Sequence, residues 1–112
     1  MNDGGDWKDL IKGIQQNDIL LVKYHLKNGT DINYQHPEYM TSPLIEAIKY
    51  GNKEMIITLL EHGASAEIKE MFTNKSPLKV AIEYKNKEII ALIRSKSQKK
   101  LWLHQLVNSF IG

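Results

Sequence analysis

Apolar residues recur along this chain in short stripes of helical period, separated by polar turns. Leu44, Ala47 and Ile48 stand at i, i+3 and i+4, and Met55, Ile56, Leu59 and Leu60 at i, i+1, i+4 and i+5. Each stripe lines one side of a helix, the pattern expected of a helix with a single buried face. The flanks mark the ends. Ser42 and Ser76 can accept a hydrogen bond from an unpaired amide of the first turn, and Pro43 and Pro77 then sit where no N–H is needed. Helices are therefore expected over roughly 43–50 and 77–84. Asn52, Asn86 and Asp18 are expected to cap the helices that follow. Gly63 and Gly29 are expected to end them, since glycine accepts the left-handed conformation common just past a helix.

The stripes repeat. Ser42-Pro43-Leu44-Ile45-Glu46-Ala47-Ile48 returns 34 residues later as Ser76-Pro77-Leu78-Lys79-Val80-Ala81-Ile82. Tyr50, Asn52-Lys53-Glu54 and Ile56 return as Tyr84, Asn86-Lys87-Glu88 and Ile90. The same step backwards finds a weaker copy, with Leu44 on Leu10, Ile48 on Ile14, Asn52 on Asp18, Leu60 on Leu26 and Gly63 on Gly29. Each unit reads as two short helices and an extended loop, which cannot bury its apolar face alone and must stack on its neighbours. Small Ala47 and Ala81, with Gly13 in the first copy, would let neighbouring helices approach closely.

These units resemble ankyrin repeats. That family's pattern is Thr-Pro-Leu-His-x-Ala, a Gly-His or Gly-Asn turn, and an apolar helix ending in Gly-Ala-Asp-Val-Asn. The second unit is most similar, with Ser42-Pro43-Leu44-Ile45-Glu46-Ala47, Gly51-Asn52 and Gly63-Ala64, and the first keeps Gly29-Thr30-Asp31-Ile32-Asn33. The resemblance covers about residues 7–97 and implies an all-α solenoid in one domain over 1–112, with repeats at about 7–40, 41–74 and 75–97. The departures are specific. Ile45 and Lys79 replace the motif's histidine, Lys85 stands in the place of Gly51, and Arg94 in that of Leu60. Ser97 stands where a terminal glycine is expected. A spacing of 34 residues implies one more residue per loop than the usual 33. Residues 98–111 lack the Ser-Pro-Leu start and read as an amphipathic helix with Leu103, Leu106, Val107 and Phe110 on one face. It is expected to cap the third repeat; a dimerisation or membrane surface is the alternative, helped by Trp102.

Composition narrows the function. No apolar run approaches the ~20 residues that span a bilayer, and the acidic, polar N-terminus has no secretory-signal pattern. The chain has no cysteine, so disulfides, thiolate nucleophiles and cysteine-ligated zinc are excluded. A cytoplasmic monomer is expected. The net charge of +2 is uneven: residues 1–56 carry six Lys against eight acidic groups, and residues 57–112 nine Lys and Arg against five. Much of the excess lies in the segment 94–100, which offers nucleic acid or acidic lipid a possible surface but reads first as a solvated connector. His25, His36, His62 and His104 show no metal-ligand spacing, and the acidic residues are scattered, so neither catalysis nor a cofactor or metal is expected.

The resemblance implies that a partner protein binds the concave face, formed by loop tips and the outward side of each first helix. Carried over by register, that face comprises Gln15, Gln16, Lys49, Tyr50, Glu83 and Tyr84 from the helices. The loop tips add Tyr39, Met40, Thr41, Phe72, Thr73 and Lys75. Aromatic and Met side chains give large contact area, as interface anchors do. Of Met71 and Phe72, one is expected to turn inward and close its loop. An adaptor, an inhibitor or an immunity-type protein would fit such a face.

Overall fold

The computed structural model describes residues 4–96. The first helix pair is α1 (Gly4–Gln15) with α2 (Ile19–Lys27), and the second is α3 (Pro43–Tyr50) with α4 (Lys53–Glu61). The third pairs α5 (Pro77–Glu83) with α6, which occupies 87–96. No strand occurs among the described residues. This is the all-α repeat solenoid expected. The proposed helix over 98–111 lies outside the described residues.

Local chemistry sets the helix starts. The Ser42 and Ser76 hydroxyls accept from the Ile45 and Lys79 amides at 3.2 and 3.1 Å. The side chains of Asp18, Asn52 and Asn86 accept from Leu21, Met55 and Ile89 at 3.1, 2.9 and 3.2 Å. All five caps stand where the 34-residue register places them. α5 stops at Glu83, one residue short of its expected end, and Tyr84 caps it. At the end of α4, His62 Nδ1 lies 2.8 Å from the Thr58 carbonyl, consistent with a capping histidine.

The backbone repeats as faithfully as the sequence. Left-handed φ values recur at Asn17, Gly51 and Lys85, at Met40 and Asn74, and at Gly29 and Gly63. Lys85 therefore takes over the conformation that Gly51 adopts without steric cost.

One continuous core runs between the pairs. Leu10, Ile14, Leu44, Ile48, Met55, Ile56 and Leu59 are fully buried, and burying each such side chain contributes about 1.5–3 kcal/mol. Ile45, which replaces the motif's histidine, is buried too. Ala47 and Ala81 are buried at the helix contacts, and a Cβ on Gly13 would come within 3.1 Å of Val22. Burial weakens in the third unit. Ile82, in register with Ile14 and Ile48, is exposed, and so is Arg94.

Adjacent loops are tied by amide side chains. Asn33 donates to the Gly63 carbonyl at 3.2 Å and accepts from the Ser65 amide at 2.9 Å. Gln35 does the same to Lys69 and Met71, both at 2.8 Å. These two clamps hold the first loop against the second and set the spacing of their tips.

Candidate protein-binding face

The two described loops close in the same way. The Met40 amide donates to the His36 carbonyl at 2.7 Å, and 34 residues on the Asn74 amide donates to the Glu70 carbonyl at 2.6 Å. Each loop then has three register positions at its base: 7, 36 and 39 in the first, and 41, 70 and 73 in the second.

In the first loop these positions are aromatic. Trp7 of α1 is 1% exposed. His36 stacks on it at 5.6 Å, and Tyr39 meets it edge-on at 5.2 Å. The indole Nε1 donates to the Tyr34 carbonyl at 2.8 Å, which satisfies the buried ring's polar atom. Outside this base, Lys8 and Glu38 pair at 2.7 Å. Their hydrogen bond raises the Lys8 pKa and lowers that of Glu38.

In the second loop the same positions are polar. The Glu70 side chain is 2% exposed. Lys49 Nζ of α3 donates to its Oε2 at 2.6 Å, and the Thr73 hydroxyl to its Oε1 at 2.7 Å. The Thr41 hydroxyl lies near the same carboxylate without completing a well-formed hydrogen bond. Burial pushes the Glu70 carboxyl up, but the hydrogen bonds from Lys49 and Thr73, the nearby Thr41 hydroxyl and the lysine's charge outweigh it, so its pKa lies below the ordinary glutamate value.

The turn is fastened on every side. The Phe72 amide donates to the Met40 carbonyl at 3.0 Å, the Glu70 amide to the Lys75 carbonyl at 2.8 Å, and Lys75 Nζ to Glu83 of α5 at 2.9 Å. It leads into the N-cap of α5 and is tied by ion pairs to Lys49 and Glu83, near the C-terminal ends of α3 and α5. Tyr50, the last residue of α3, and Tyr84, which follows α5, are both exposed. Met71 and Phe72 project from the tip, 54% and 74% exposed.

The structure corrects part of the expected face. Thr41 is 4% exposed, because its register position is the one Trp7 fills in the first loop, so its side chain offers nothing to a partner. Met71 and Phe72 both point outward, and Glu70 closes the loop in their place. Tyr39 keeps an exposed edge but is seated on Trp7, and Lys49 is engaged with Glu70. Met40 is half-buried, while Gln15, Gln16, Thr73 and Glu83 are exposed and Lys75 is half-buried in its ion pair. Gln15 also donates to Glu46 at 3.1 Å. Trp7, Glu70 and Met71 belong to the loop machinery and were not among the residues expected on the face. Their signal was available in the register, which aligns Trp7 with Thr41 and His36 with Glu70.

Among the described residues, no helix is long and apolar enough to cross a membrane, and no group of three or more His, Asp or Glu residues could hold a metal ion. The curated 2-5A-dependent ribonucleases of Homo sapiens and Mus musculus are similar to this chain. They are 33% identical over 61 residues and 34% over 59, covering 54% and 53% of this chain. In each case the match spans 8% of the relative's own length. The family model for ankyrin repeats, in three copies, matches residues 10–101. With that match over most of its length, and with helix pairs stacked in the same register, the chain belongs to the ankyrin-repeat family.

Proposed function

We propose that this chain is a protein-binding module whose partner docks across the second loop and the neighbouring ends of α3 and α5, on Tyr50, Met71, Phe72 and Tyr84. Ankyrin repeats are in general non-catalytic protein–protein interaction modules. The observation that carries the reading is the polarity of the second loop, which buries a carboxylate and holds two large apolar side chains in water. A cluster of exposed apolar and aromatic groups on a rigid support is the usual make-up of an interface centre.

Charge on this face is largely neutralised within the protein, through Lys49 with Glu70 and Lys75 with Glu83. That favours a partner segment that presents apolar side chains over one recognised by charge, and it argues against nucleic acid. An adaptor, inhibitor or immunity-type role is compatible with this chemistry. Capture from a lysate of the source cell, followed by titration of the captured protein, tests the reading. Phe72→Ala, Tyr50→Ala and Tyr84→Ala should each weaken binding by about 1–4 kcal/mol without unfolding the protein. Neutralising Lys96, Lys99 and Lys100 together should change mainly the salt dependence. Normal binding by the aromatic variants, with steep loss in the lysine variant, would transfer the function to the basic segment 94–100.

A further inference from the structure

We infer that Glu70, held by Lys49 and Thr73, is a positioning residue that keeps the Met71–Phe72 tip turned outward. The inference rests on the binding face proposed above for the use of that tip, but not for the device itself.

The register supplies the reason. Met71 and Phe72 align with Pro37 and Glu38 of the first loop, and Glu70 aligns with His36. The first loop has an aromatic base and a polar tip, so its apolar groups are inside. The second has the opposite polarity on the same backbone. Exposed apolar residues at a loop tip are therefore not demanded by the fold, since the first copy closes without them. Left to hydrophobicity alone, Met71 or Phe72 would take the buried place, because burying either is favourable while burying a carboxylate costs free energy. Glu70 can hold that place only because its carboxylate is met by an ammonium and a hydroxyl at 2.6 and 2.7 Å. Lys75, the other cation on this turn, is directed at Glu83. Lys49 thus connects the end of α3 to the direction in which the tip points.

The carboxylate's lowered pKa sets the pH behaviour. In the unfolded chain Glu70 takes up its proton in the ordinary glutamate range; in the folded protein it does so only at lower pH. The latch is complete above that range and is lost as pH falls through the depressed value.

Amide hydrogen exchange and NMR titration of the full chain test this without any partner. The amides to follow are Phe72 and Asn74, bonded to the Met40 and Glu70 carbonyls. Glu70→Gln and Lys49→Met should each lower the protection of these two amides about tenfold or more, with those of Ile56 and Gly51 unchanged. Lys49→Arg, which keeps the charge and the donor, should restore protection. The Phe72 resonance should shift with an acidic midpoint below the usual glutamate range, and that step should vanish in Glu70→Gln. Unchanged protection in Glu70→Gln would overturn the inference, as would a uniform loss at every amide. If the latch behaves as stated and Phe72→Ala still binds the captured partner normally, the proposed face fails while the latch stands.

Discussion

Trp7, His36 and Tyr39 at the base of the first loop occupy the same register positions as Thr41, Glu70 and Thr73 at the base of the second. The closing hydrogen bonds and the left-handed residues Met40 and Asn74 coincide. What differs is where the polar groups go. The first loop is filled by stacked rings and points Glu38 to solvent; the second is filled by an ion pair and points Phe72 to solvent. A repeat backbone thus sets a frame whose base can be apolar or polar, provided each buried atom finds a partner. The choice at the base decides what the tip can offer.

The largest effect should come from the aromatic base. Trp7→Ala removes a fully buried ring on which His36 and Tyr39 pack, and should cost about 3–5 kcal/mol in denaturant unfolding. If the loops are independent fillings of one frame, exchange protection in the 70–75 turn should survive better than in the first loop. Equal loss in both would mean that the Asn33 and Gln35 clamps couple the two loops into one unit.

A smaller effect is expected from the polar base. Breaking a fully buried ion pair costs several kcal/mol, but Lys49 is partly exposed and can return to water. Glu70→Ala should therefore cost about 1–2 kcal/mol, measured by the same unfolding assay. A cost as large as that of Trp7→Ala would show that the second loop depends on its charge as heavily as the first depends on its ring.

The smallest effect tests the shared backbone. Lys85 is exposed and left-handed at the register of Gly51. Lys85→Gly removes about 1–2 kcal/mol of steric cost and adds about 0.5–1 kcal/mol of chain entropy, so thermal unfolding should show a gain of up to about 1 kcal/mol. Asn74→Gly should change little, because asparagine tolerates this conformation.

Much of this was legible in the residues alone. The 34-residue register, the capping Ser, Asn and Asp residues and the apolar stripes determined the helix pairs and their order, because capping and amphipathic period act over a few neighbouring positions. Exposure of Tyr50 and Tyr84 was expected from the same register. Only the tertiary structure decided that Thr41 is buried, that Glu70 points inward, and that Met71 and Phe72 both point out. Those outcomes depend on contacts between residues about 20 to 30 positions apart, Lys49 with Glu70 and Trp7 with His36. A loop's local sequence does not reveal whether a cation will arrive from a preceding helix, and that arrival is what makes a buried carboxylate stable.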